Sequence, residues 1–82
     1  MHTAVTIVTD LPLGGAPTIA VTGILDSTNA FRLHDALTMV VTLRPADIVL
    51  LDLTAVHGID EAALRVLLVH GDRLRQLGSR PL

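Results

Sequence analysis

The chain has 82 residues, enough for one small domain, and half of them are apolar with a single aromatic among them. Its six basic residues are all arginines, which excludes a phosphate-loop lysine, a Schiff-base lysine and the lysine of a phospho-receiver domain. With a formal net charge of −2 the arginines form no basic stripe, so nucleic acid is not an expected partner. The absence of cysteine excludes a disulfide framework or thiolate metal site and fits a cytoplasmic protein.

Residues 3 to 9 alternate, with Val5 and Ile7 on one side and Thr6 and Val8 on the other, as in a half-exposed strand. No basic stretch precedes an apolar core here, so no signal peptide is expected. Nor does any apolar run approach the ~20 residues of a membrane span. Leu11 to Pro17 reads as a loop, in which two prolines flank Gly14-Gly15. Thr18 to Leu25 is a second, more apolar strand, and the short connection favours an antiparallel hairpin. Gly23 inside it predicts a bulge or a close backbone approach. After Asp26, the run Ser27-Thr28-Asn29 offers three capping residues to a helix. The apolar stripe of that helix is Ala30, Leu33, Leu37, Val40 and Val41, with Phe31 off its centre and packing over an edge. Arg44 and Pro45 close it.

Ile48 to Leu53 is nearly unbroken apolar sequence, which suits a strand covered on both faces. Strand, helix and strand over this distance predict a right-handed crossover between parallel strands. Ala55 to Gly58 read as a tight turn, Ile59 as an apolar anchor and Asp60 as a helix N-cap. The spacing then predicts one helix from Asp60 to Leu77, ended by Gly78. Leu64, Leu67, Gly71 and Leu74 face the core, with Gly71 allowing close approach to the sheet. Glu61, Arg65, Asp72 and Gln76 face water. Ala62, Val66, Val69 and Arg73 form an intermediate line, either a contact surface or a widened core stripe. Ser79 to Leu82 is too short for another strand and helix. The Ile48–Leu53 strand is therefore expected to keep an unpaired edge, open to a second copy of the chain.

No constellation of residues supports catalysis. Ser27 reads as a cap and Ser79 as tail, with no histidine close in sequence to either. His57 with Asp60 is half a metal site at most and reads better as a hydrogen-bonded turn residue. His34 and His70 fall on or beside helix faces. Asp52 and Asp60 lack the acidic pair and lysine of a receiver pocket, and Gly14-Gly15 does not lead into a helix as a phosphate loop does. No enzyme activity, cofactor or metal is expected.

Several segments resemble the STAS domain, the fold of bacterial anti-sigma factor antagonists and of the cytoplasmic tail of sulfate transporters. They are Gly23-Ile24-Leu25-Asp26, Leu51-Asp52-Leu53, Ile59-Asp60-Glu61-Ala62-Ala63-Leu64 and the Arg-Leu-Arg-x-Leu-Gly run from Arg73 to Gly78. Their order and spacing carry the resemblance over about residues 3 to 79. It implies an α/β fold: a small mixed sheet with an N-terminal antiparallel hairpin, then parallel β-α-β-α with the helices on one face. Against that family the single domain, residues 1–82, is expected to lack the last strand and helix. That leaves a truncated relative, a piece of a larger protein or a protein completed by its partner.

The resemblance also implies a non-enzymatic protein-binding module that regulates transcription by capturing an anti-sigma factor or a histidine-kinase-like ATPase. Its implied contact surface is Asp26, Ser27 and Thr28 with His57, Gly58, Asp60, Glu61 and Ala62, extending to Val66 and Val69. Phosphorylatable antagonists carry Asp-Ser-Ser-Gly-Leu at the helix start, and the second serine accepts phosphate. Here Ala62 stands at that position and has no hydroxyl, while Glu61 replaces the first serine. The carboxylates of Asp60 and Glu61 either imitate a phosphorylated state, mark lost regulation, or simply favour the helix N-terminus. The alternative implied role is a structural or assembly subunit, in a signalling scaffold or a lipid-transport or transporter-associated complex.

Overall fold

The computed structural model describes residues 5–45 and 47–77. Strands β1 (Val5–Asp10) and β2 (Thr18–Leu25) form the expected antiparallel hairpin, with Val5 opposite Gly23 and Asp10 opposite Thr18. Residues 3 and 4 of the expected first strand lie outside the described residues. Helix α1 (Ala30–Leu43) connects β2 to the parallel strand β3 (Val49–Ile59). Helix α2 (Glu61–Val69), a 3₁₀ turn (Gly71–Arg73) and strand β4 (Leu74–Leu77) follow. The sheet order is β1-β2-β3-β4, antiparallel once and then parallel.

The core lies between one sheet face and both helices. Ile19, Val21 and Leu25 of β2 and Val49, Leu51 and Leu53 of β3 meet Leu33, Leu37 and Val40 of α1, and Ala63 and Leu67 of α2. Val41 joins them at the margin, so the predicted α1 stripe is the buried one. Phe31 is 60% exposed rather than packed over an edge. Gly23 sits at φ 109, beside register shifts in the β2–β3 pairing, and fulfils the expected bulge. Arg32 Nη1 donates to the Val5 carbonyl at 3.1 Å and ties α1 to the edge of the sheet.

Four features depart from the sequence reading. First, β3 does not turn at Ala55 to Gly58. It runs on to Ile59, pairing Gly58 with Ile24 and Ile59 with Leu25, and two register shifts take up its surplus residues. Second, the helices cover β3 on one face only: Val49, Leu51 and Leu53 are buried, whereas Leu50 and Asp52 on the opposite face are half-buried. Third, α2 ends at Val69 rather than continuing to Leu77. Gly71 does not approach the sheet, and open space surrounds the place a Cβ would take. Fourth, Leu74 to Leu77 form a strand that pairs with Val49 to Asp52. The edge expected to be open is covered there, and among the described residues it lacks a partner strand only beyond Asp52. The expected tail, Ser79 to Leu82, lies outside the described residues.

Two arginines explain the early end of α2. Arg44, just past α1, pairs with Asp47 and donates to the carbonyls of Pro12 (3.1 Å) and Gly15 (2.6 Å), anchoring the β1–β2 loop. Arg73 donates to the carbonyls of Asp47 (2.9 and 3.2 Å) and Arg44 (3.1 Å). Those bonds draw the chain back to the sheet after glycine has weakened the helix, since glycine costs about 1 kcal/mol in a helix interior. Arg73 therefore belongs to no α2 contact line. Replacing Arg73 with alanine is expected to cost about 2 kcal/mol, because it leaves two carbonyls without a charged donor. Arg73→Lys recovers only part of this, as lysine lacks the planar fork. Urea unfolding of the three proteins checks both.

The α1–α2 contact includes His34 and His70, whose rings stand 5.4 Å apart. Partial burial, aided by the charge His34 can carry, holds the His70 pKa below its ordinary value. The unfolded chain then binds a proton more readily than the folded one. The His70 contribution to stability is complete above the unfolded pKa of about 6.5 and is lost as pH falls through the lower folded value. Urea midpoints from pH 7.5 to 5 should decline more steeply for wild type than for His70→Gln.

Candidate functional site

The carboxyl ends of β2 and β3 lie side by side, and each feeds a helix. Asp60, with φ −97 and ψ −178, is extended and caps α2, accepting from the Ala63 amide at 3.2 Å. Its other carboxylate oxygen accepts from the Ser27 amide at 2.8 Å, and its own amide donates to the Leu25 carbonyl at 3.0 Å. One side chain thus holds the β2–α1 loop against the start of α2.

That loop is also built from within. Asp26 Oδ1 accepts from the Thr28 amide at 2.9 Å and from the Thr28 hydroxyl at 2.5 Å. Asn29 occupies the N-cap position, but its side chain makes no cap bond. Buried to 4% exposure, it accepts from the Asp26 amide and donates to the Ile24 carbonyl, both at 2.9 Å. Of the three predicted capping residues, Asn29 holds the loop's shape, and Ser27 and Thr28 lie exposed on its crest.

The structure therefore brings Asp26, Ser27 and Thr28 together with Asp60, Glu61 and Ala62. Gly58 joins from below through its pairing with Ile24. His57 is exposed in β3 and is not a turn residue. Among the described residues no three or more histidines or carboxylates cluster as a metal site would require. Glu61 pairs with Arg65 at 2.7 Å on the solvent side of α2, an exposed contact of small energetic value. Asp26, Asp60 and Glu61 place three carboxylates at the two helix starts, where the backbone dipoles favour them.

The intermediate line of α2 divides. Ala62 and Val66 are partly buried and pack against the core. His70, four residues beyond Val66, meets His34, so this row runs beside α1. Val69 is 74% exposed, next to Leu68 at 79%, at the far end of the helix. Phe31, exposed in the first turn of α1, adds an aromatic near the crest that the sequence reading had set against an edge. Its signal was its place outside the apolar stripe. Asp52 lies outside this site: its carboxyl accepts from the Thr54 hydroxyl and amide, bonds that hold its pKa below the ordinary carboxylate value.

Comparisons with known proteins agree with this architecture. An anti-sigma factor antagonist from Mycobacterium paratuberculosis is similar at 25% identity and a TM-score of 0.75, over 88% of this chain and 60% of its own. This chain thus spans 60% of that relative's length. An anti-sigma factor antagonist STAS domain from Rhodobacter sphaeroides is similar in fold at 17% identity and a TM-score of 0.67, over 90% of this chain and 86% of its own. An uncharacterized Shewanella loihica protein with a SpoIIAA-like fold is similar at 15% identity and a TM-score of 0.61, over 99% of this chain and 71% of its own. No curated protein matches the chain. None of the described helices is long and apolar enough to cross a membrane. The family model described as STAS domain matches residues 12–80, and the chain belongs to that family.

Proposed function

We propose that this chain is a cytoplasmic protein-binding module of the anti-sigma factor antagonist kind, which docks an anti-sigma factor or a histidine-kinase-like ATPase. The docking surface is the ridge formed by Asp26 to Thr28 and His57 to Ala62, with Phe31 beside it and Val66 and Val69 along α2. One observation carries this reading: Asp60 binds both the Ser27 and the Ala63 amides, so two loops distant in sequence present one surface. The relative from Mycobacterium paratuberculosis, described as an anti-sigma factor antagonist, supports the choice of partner class. Regulation at the ridge differs from that of a phosphorylatable antagonist. Ala62 offers no hydroxyl, and Glu61 turns to Arg65, so its carboxylate does not stand in for a phosphate at Ala62.

A second reading, an assembly subunit, draws on the far end of α2. Leu68 and Val69 are exposed there, beside an apolar cavity of about 390 Å³ between α2 and β4. Light scattering separates the readings, because a stable monomer at micromolar concentration argues against assembly.

Calorimetric titration against a purified partner of the proposed class should give a one-to-one complex, and Phe31→Ala should weaken it about tenfold, or ~1.4 kcal/mol. With labelled ATP the wild-type chain should take no phosphate, whereas Ala62→Ser should become a substrate when the partner is a kinase. Label on wild-type Ser27, Thr28 or Thr54 overturns the claim of an unswitched module. Asp60→Ala should lower stability by about 1 kcal/mol through loss of the cap. It should also speed amide exchange at Ser27 and Ala63, measured by NMR.

A further inference from the structure

The contact between His34 and His70 has no part in the proposed docking ridge. His34 lies in the second turn of α1, and His70 closes α2, 36 residues later. Nδ1 of His34 and Nε2 of His70 stand 3.4 Å apart, and the rings are tilted by 48°. At that separation any hydrogen bond between the nitrogens is at the outer limit of length, so little is lost when another group takes its place.

The same separation is the bite of a metal ion. Two imidazole nitrogens bound to one tetrahedral zinc, each at about 2.0–2.1 Å, stand about 3.4 Å from each other. His34 is exposed and His70 partly so, which leaves room for water to complete the coordination shell. Both rings are carried by helices packed on the same core, so little ordering is required before an ion binds. We propose that His34 and His70 form a two-histidine site for a divalent transition-metal ion of the zinc type, clipping α1 to α2.

Imidazole is a good ligand for zinc, nickel and copper and a poor one for magnesium or calcium, so the site selects the former group. No third histidine or carboxylate among the described residues joins the pair in a cluster. The remaining ligands are therefore water, and binding is readily reversible. Because the ion bridges two helices in the folded chain only, it stabilises the fold by mass action.

Zinc chloride added to the purified chain tests the site. At about 1 mM zinc the melting temperature of wild type should rise by about 5 °C. His34→Ala should abolish the rise, while His57→Ala, which keeps both ligands, should retain it. Two-bond ¹H–¹⁵N spectra of the wild-type histidine rings provide a measurement that needs no variant. Zinc should shift His34 Nδ1 and His70 Nε2 and leave the His57 ring unchanged. An equal melting shift in His34→Ala and wild type overturns the proposal, as does a zinc response confined to His2 or His57.

Discussion

Parallel pairing of β2 with β3 is the constraint on which the other features depend. It places Ile19, Val21 and Leu25 beside Leu51 and Leu53 on one buried face, and both helices must return to that face to cover it. In parallel strands both carboxyl ends point the same way, so the loops that start α1 and α2 are neighbours by necessity. Surplus residues in β3 would push those ends out of line. Two register shifts, one beside Gly23 at φ 109, absorb them and bring Leu25 level with Ile59. A side chain at position 23 would meet strain there, since L-residues seldom adopt that angle.

The two ends of this strand pair are secured by different chemistry. At the ridge, a single carboxylate accepts from two backbone amides of two loops. At the opposite end, two guanidinium groups donate to backbone carbonyls: Arg44 holds the β1–β2 loop, and Arg73 holds the turn after α1. Anions suit helix starts and cations suit unpaired carbonyls, so each end uses the charge its backbone favours. In a small domain that lacks disulfides, such charged hydrogen bonds fix loops that an apolar core of modest size cannot reach.

Membership in the STAS family and the likeness to anti-sigma factor antagonists support the proposed role of the ridge, and the residues on it give it its character. Ala62 and Val66 are half-turned to the core and add shape more than chemistry. Ser27, Thr28, Phe31 and Glu61 are exposed and give the ridge a polar and aromatic surface.

Local signals in the sequence were sufficient for the order of the elements as far as Asp60. Alternation marked β1, the apolar stripe from Ala30 to Val40 marked the buried side of α1, Gly23 marked the bulge, and Asp60 marked the cap. The missing hydroxyl at Ala62 was likewise readable from the chain alone. Beyond that point the spacing of Leu64, Leu67, Gly71 and Leu74 fitted a single long helix, whereas the folded chain forms a short helix, a 3₁₀ turn and a strand. Tertiary structure chose the latter, because Arg73 finds carbonyls 26 and 29 residues away and Leu74 finds Val49. It also decided that Ser27 should meet Asp60 and that His34 should meet His70. Periodicity and capping report on neighbours within a turn or two, whereas these contacts join residues 25 to 36 apart, so only the folded chain could determine them.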